Sequence, residues 1–130
     1  MAGAVLVDSS YYISLQRRSV DPFAGLAARA EDFEFLTCGM VLMEILRGIR
    51  APRVARRYRE AFAVMVCVPT TSLVWDRATD IALAQDRAGT PIPPQDALIA
   101  AHALQAGAAV LTLDEHFRKI TGLRVLTTLD

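Results

Sequence analysis

Four acids stand where they could do chemistry: Asp8, Glu44, Asp96 and Asp114. Asp8 ends the apolar run Ala4-Val5-Leu6-Val7, and Asp114 follows Val110-Leu111-Thr112-Leu113. A continuous, β-branched run of this kind suits a strand buried on both faces of a parallel sheet. Open parallel sheets bind ligands just beyond the carboxyl ends of their strands, where a carboxylate can meet both solvent and a metal. Glu44 lies between Met40 and Gly48 at four-residue steps, on the stripe that also holds Val41 and Ile45. A carboxylate on an apolar stripe is costly unless it is paired or bound to a cation. Asp96 falls in the first turn of a helix that opens after Pro93-Pro94. Each acid also has a plainer explanation. Asp8 or Ser9 can cap the next helix, Glu44 can pair with Arg47 three residues on, and Asp96 can answer a helix dipole. One acid alone would favour the plainer explanation; four in matching contexts favour a shared site.

The elements that must position these acids alternate along the chain. After the first strand, Ser9 or Ser10 opens a short helix over Tyr11–Gln16. Asp21-Pro22 opens another that runs to about residue 30, with Asp as N-cap and Pro at the first helical position. Phe33–Cys38 reads as a strand, Met40–Arg47 as a helix broken by Gly48, and Pro52–Phe62 as a further helix. Met65–Val68 is a strand ended by Pro69, and Ser72–Arg87 a long helix ended by Gly89, with Trp75 packed inward and Asp76, Asp80 and Asp86 facing solvent. The almost wholly apolar helix Asp96–Leu104 must be buried, with His102 packed within it and not a ligand. Strands at Ala108–Thr112 and Val125–Thr127 complete the pattern. This predicts one α/β domain over residues 1–130, in three layers: a central parallel sheet of about five strands with helices on both faces.

Composition narrows the functional classes. The sequence holds 14 basic and 14 acidic residues and is 53% hydrophobic, so bulk charge marks neither a nucleic-acid binder nor an acidic tail. Thirteen of the fourteen basic residues are arginine, and six (Arg47, Arg50, Arg53, Arg56, Arg57 and Arg59) fall within thirteen positions. Such a run is either a solvated face or a rim that steers a polyanion or docks an acidic partner segment. Cys38 and Cys67 lack C-x-x-C spacing, so buried reduced thiols are expected in place of a zinc or redox site. The absence of a basic leader and of any long apolar span predicts a soluble, cytoplasmic protein.

Four stretches together resemble the PIN domain, and within it the VapC-type toxin ribonucleases. They are Val5-Leu6-Val7-Asp8-Ser9-Ser10, Val41-Leu42-Met43-Glu44-Ile45-Leu46-Arg47-Gly48, Pro94-Gln95-Asp96-Ala97-Leu98-Ile99-Ala100-Ala101, and Val110-Leu111-Thr112-Leu113-Asp114-Glu115-His116-Phe117. The resemblance runs through the chain in order. It implies an acidic quartet of Asp8, Glu44, Asp96 and Asp114 that binds Mg²⁺ or Mn²⁺, with Ser10 and Thr112 ordering the site. Ser10 stands where many relatives carry asparagine. The resemblance further implies an RNA substrate, a cognate antitoxin and a homodimer, to which Tyr11, Tyr12 or neighbouring apolar residues could contribute.

The chemistry of such a quartet is consistent. Clustered carboxylates raise one another's pKa and need a cation to coexist ionised. Oxygen-only ligands suit Mg²⁺ or Mn²⁺, and a hard cation can activate water and stabilise charge on an attacked phosphate. No histidine is expected at a position for general acid–base work. The expected activity is metal-dependent hydrolysis of RNA phosphodiesters, with Asp8, Asp96 and Asp114 as ligands and Glu44 a ligand or a supporting residue. Arg47, Arg50, Arg53 and Arg57 are the candidates for binding RNA or the partner. The alternatives are a PIN nuclease of RNA maturation, or a non-catalytic module whose acids serve as caps. A phosphoacceptor receiver domain is disfavoured, because the third strand ends in Pro69-Thr70-Thr71 and Lys119 is the only lysine.

Overall fold

In a computed structural model describing residues 3–130, the chain forms five strands and six α-helices. In order these are β1 (Gly3–Val7), α1 (Ser9–Arg17), α2 (Pro22–Ala27), β2 (Phe33–Cys38), α3 (Gly39–Leu46), α4 (Pro52–Ala63), β3 (Val66–Val68), α5 (Ser72–Arg87), α6 (Pro94–Gln105), β4 (Ala109–Leu111) and β5 (Val125–Leu126), with a 3₁₀ turn at Glu115–Lys119 before β5. The sheet is wholly parallel, in the order β3-β2-β1-β4-β5, and is flanked by helices. β1 lies at its centre, pairing Leu6 with Leu36 of β2 and with Val110 of β4. Val5, Leu6 and Val7 are all buried, as a strand covered on both faces requires.

The order places a reversal at β1. The chain leaves β1 towards β2 and β3, then crosses back through α5 and α6 to pair β4 on the other side. Loops therefore diverge where β1 and β4 end, leaving a crevice at that carboxyl edge. The backbone N–H of Asp8 donates to the Leu111 carbonyl at 2.9 Å and fixes the two strand ends together.

Local signals set the helix boundaries. Asp21 accepts from the Phe23 N–H and Pro22 occupies the first turn of α2; Thr71 accepts from the Val74 N–H at the start of α5. Pro52 and Pro94 each open a helix without losing a hydrogen bond that the first turn would have used. Gly89 and Gly107 adopt φ of 75° and 65°, the left-handed conformation that ends α5 and α6.

Packing confirms most burial expectations and corrects three. Tyr12, Phe23, Tyr58 and Phe62 form an aromatic cluster with centroid separations of 5.0–6.2 Å, tying α1 and α2 to α4. Tyr12 is thus fully buried in the monomer and is not available to a dimer interface, contrary to expectation. Trp75 does not pack inward: it is 54% exposed, because Val74 and Ala78 are the residues α5 turns towards α6. Cys67 is exposed on the outer strand β3, whereas Cys38 is buried as expected. Asp76, Asp80 and Asp86 face solvent. Among the described residues, no helix is long and apolar enough to cross a membrane.

His102 is buried in α6, with Nδ1 2.7 Å from the Leu98 carbonyl and Nε2 2.8 Å from Thr70 Oγ1. One neutral tautomer satisfies both contacts, donating from Nδ1 and accepting at Nε2. Burial holds the imidazole pKa below its ordinary value. The unfolded chain then binds a proton that the folded chain refuses, so stability is lost as pH falls below about 6.5. Denaturant unfolding of wild type and His102→Gln over pH 5–7.5 checks this: the variant should show a shallower fall in stability across that window. An unchanged slope would remove His102 as its source.

Candidate active site

Asp8 and Asp114 close the two strands that flank the crevice, and each also caps the helical turn that follows it. Asp8 Oδ2 accepts from the Ser10 N–H at 3.4 Å, from Ser10 Oγ at 2.7 Å and from Thr112 Oγ1 at 2.8 Å. Asp114 Oδ1 accepts from the His116 N–H at 2.9 Å. Helix capping and site formation, which stood as alternatives for Asp8, are therefore one arrangement.

Ser10 and Thr112 knit the two strand ends into a small network. Their hydroxyl oxygens lie 3.1 Å apart, Ser10 Oγ accepts from the Leu113 N–H, and Thr112 Oγ1 accepts from the Asp114 N–H. The network occupies one oxygen of Asp8 with three donors. No hydrogen bond reaches the other, Oδ1, among the described residues. A carboxylate so held has its rotamer fixed and one oxygen in reserve for a ligand.

The remaining two acids approach from helices. Asp96, in the first turn of α6, is 7% exposed, and its Oδ2 lies 2.8 Å from His116 Nδ1. That nitrogen also lies 3.1 Å from Asp114 Oδ1, so it bridges the two carboxylates. Glu44 projects from α3 and accepts from Ser9 Oγ at 3.2 Å. Among the described residues it forms no ion pair with Arg47, the plainer alternative for this acid, although that arginine favours its ionised form. All four acids line one open cleft of about 600 Å³, with Ser9, Ser10, Arg17 and Arg18 at its walls.

Electrostatics bear the mark of crowding. Burial is the main cause that raises the Asp96 pKa, with Asp114 and Asp8 adding repulsion and the His116 hydrogen bond opposing both. Glu44 is likewise raised, first by burial and then by Asp8 and Asp96, against the Ser9 hydrogen bond. These four carboxylates offer oxygen donors only, the set that suits a hard divalent cation. Asp96, Asp114 and His116 can bring ligand atoms within 4.8 Å of one another, so a ring nitrogen is also within reach.

The sequence-based expectation therefore needs two adjustments. His116 is a histidine at the site, contrary to the expectation of none; the signal was its position two residues after Asp114, where a cap brings the side chain back over the acid. The arginines lining the cleft are Arg17 and Arg18, not the run from Arg47 to Arg59. Arg47, Arg50, Arg53 and Arg57 are exposed, and Arg57 is engaged with Asp21 at 3.0 Å and over the Phe23 ring.

A parallel sheet whose switch point gathers carboxylates is the arrangement of PIN domains, nucleases that use divalent metals. The description of that family, PIN domain, matches residues 5–123, and the chain belongs to it. No curated protein matches the chain by sequence. Solved structures share the fold. A chain of the DNA-bound VapBC from Salmonella typhimurium is 22% identical, with a TM-score of 0.78 over 96% of this chain and 97% of that one. VapBC2 from Rickettsia felis, bound to a DNA fragment from its promoter, gives 16% identity and a TM-score of 0.79 over 94% and 96%. VapBC-5 from Mycobacterium tuberculosis, a member of the VapBC family of toxin-antitoxin systems, gives 17% and 0.69 over 97% and 99%.

Two substitutions separate the network from the crowding. Thr112→Val keeps shape but removes a donor to buried Asp8 and should cost on the order of 1–3 kcal/mol in urea unfolding. Asp96→Asn should do the reverse in metal-free buffer. A carboxyl with a raised folded-state pKa favours folding fully below its unfolded value of about 4 and loses that contribution as pH rises. The variant should therefore match or exceed wild-type stability at pH 7–8, with the difference closing towards pH 4. A variant less stable than wild type at every pH would show that Asp96 is a favourable structural charge.

Proposed function

We propose that residues 1–130 form a single nuclease domain, a metal-dependent endoribonuclease of the VapC type that acts in the cytoplasm. The observation that carries this reading is the convergence of Asp8, Glu44, Asp96 and Asp114 on one cleft at the sheet's switch point, with one oxygen of Asp8 held by three donors and the other unengaged. Asp8, Asp96 and Asp114 would hold Mg²⁺ or Mn²⁺, with Ser10 and Thr112 fixing the orientation of Asp8. When bound, the cation supplies Lewis acidity towards water and the attacked phosphate.

The chain's own residues would divide the remaining work. His116 Nδ1 holds Asp96 and Asp114 at a set separation, so neither carboxylate has to reorganise as charge builds on the phosphate. Glu44 reaches the cleft from α3, anchored through Ser9, with burial and two neighbouring carboxylates raising its pKa. A carboxylate so tuned suits a proton acceptor for the attacking water. Attack of that water on phosphorus would pass its proton to Glu44 and break the bond to the leaving ribose oxygen, which takes a proton from solvent and departs as a hydroxyl, leaving a terminal phosphate on the other fragment. Four carboxylates repel RNA until a cation is bound, so substrate affinity and metal loading should rise together.

Likeness to chains of VapBC toxin-antitoxin structures supports an antitoxin partner, here proposed to dock on the exposed arginines Arg47, Arg50, Arg53 and Arg57; the chain is further proposed to form a homodimer. A nuclease of RNA maturation would carry the same site, and growth arrest on expression separates the two roles.

RNA cleavage and thermal unfolding, each with Mg²⁺, Mn²⁺ or chelator, test the reading. Metal that binds the folded site and not the unfolded chain should stabilise by about 2.7 kcal/mol at roughly 100 times its dissociation constant. That corresponds to a rise of about 8–12 °C in Tm. Asp8→Asn, Asp96→Asn and Asp114→Asn should shrink the rise and abolish cleavage. A non-catalytic module would show no cleavage under any metal. Light scattering at micromolar concentration should give a dimer mass.

A further inference from the structure

Gln85 is buried without lining the acid cleft. It sits in the last turn of α5 and is 6% exposed. A buried side-chain amide is costly unless its donors and acceptors are met, and a leucine would fill similar space without that cost. Here both ends of the amide are met from outside α5. Nε2 donates to the Lys119 carbonyl at 3.0 Å, and Oε1 accepts from Thr90 Oγ1 at 2.9 Å. A carbonyl can only accept, so the contact with Lys119 fixes which way the amide faces. Closing the helix does not explain the side chain. The backbone already closes α5, with the Thr90 N–H donating to the Gln85 carbonyl and Gly89 at positive φ.

The two segments that Gln85 joins carry half of the acid site. Lys119 ends the 3₁₀ turn Glu115–Lys119, which Asp114 caps and which holds His116. Thr90 lies in the link to α6, whose first turn holds Asp96. Pro91, Pro93 and Pro94 stiffen that link, so a shift at Thr90 is carried forward to Asp96. In the cleft the same two segments meet again, where His116 Nδ1 lies 2.8 Å from Asp96 and 3.1 Å from Asp114. The turn and the helix are thus bonded twice, at the cleft by the ring and outside it by the amide. Hydrogen bonds are directional, so the second limits how far the turn can slide along α6.

Building on the metal site of the nuclease reading, we propose that Gln85 is a positioning residue for that site. Through Lys119 and Thr90 it sets the spacing of Asp114 against Asp96, and thereby the affinity of the pair for a divalent cation. A small hard cation demands near-ideal placement of its oxygen donors. The supports of the ligands therefore matter as well as the ligands, and loss of such a support typically lowers metal affinity by about 10- to 100-fold.

Calorimetric titration of Mn²⁺ into the metal-free full chain, well below its Tm, tests this, alongside RNA cleavage at graded Mn²⁺. Gln85→Met keeps the volume and removes both bonds. It should weaken Mn²⁺ binding about tenfold or more and raise the Mn²⁺ needed for half-maximal cleavage by the same factor, with the KM for RNA at saturating metal unchanged. Thr90→Val removes one bond and should weaken Mn²⁺ binding by a smaller factor, whereas Thr90→Ser keeps the hydroxyl and should bind like wild type. Leu26→Ala, a core truncation on α2, should lower Tm and leave Mn²⁺ affinity as it is. If Gln85→Met loses Tm yet binds Mn²⁺ like wild type, Gln85 is only a brace of the fold; the proposal falls and the nuclease reading stands. An equal loss of affinity in Leu26→Ala would trace the effect to general stability and overturn the proposal too. Should Gln85→Met not fold, Thr90→Val and Thr90→Ser decide, and equal affinities overturn it. If the unmodified chain binds no Mn²⁺, the metal site and the proposal fall together.

Discussion

Repulsion among four carboxylates is the force the rest of this structure has to contain. Asp8 and Asp96 are almost fully buried, Glu44 and Asp114 partly so, and Asp96 and Glu44 have raised pKa values because burial and neighbours both oppose their charge. A chain selected for stability alone would not assemble them. They are held by hydrogen bonds between distant parts of the chain, Thr112 to Asp8 and Leu113 to Ser10 across more than a hundred positions, and by the nearer pair His116 and Asp96. Those contacts depend in turn on β1 and β4 being adjacent and parallel, which the buried, β-branched runs on both strands secure.

The division of donors among the acids gives the site its asymmetry. One oxygen of Asp8 is saturated while the other is spared; Asp96 and Asp114 share one ring nitrogen; Glu44 is steadied only by Ser9. Three carboxylates are thus fixed and one is comparatively free, which is the distinction expected between groups that hold a cation and a group that moves a proton. The aromatic cluster of α1, α2 and α4 is remote from this chemistry but holds α1, and with it Ser9, Ser10, Arg17 and Arg18, at the cleft.

Much of this was legible in the sequence because strand ends, proline helix starts and glycine helix ends are local signals. The runs before Asp8 and Asp114, Pro22, Pro52 and Pro94, and Gly89 and Gly107 carry them. What was not legible depended on rotation about an element or on distance through space. Trp75 lies one residue from the buried Val74, and one residue turns a helical side chain by about 100°. The burial of Tyr12 depends on Phe23 and Phe62, which arrive from two other helices. His116 was missed because its role comes from Asp96, twenty positions away, and the dense arginine run outweighed Arg17-Arg18, whose value lies in where α1 ends.

An anomalous difference map from crystals soaked in Mn²⁺ tests the central claim most directly, since it sees the ion and its ligands at once. The expected peak contacts the unengaged oxygen of Asp8 together with Asp96 and Asp114, and is lost in Asp8→Asn crystals. A peak held by Asp96, Asp114 and His116 without Asp8, or no peak in a protein that still cleaves RNA, would contradict it.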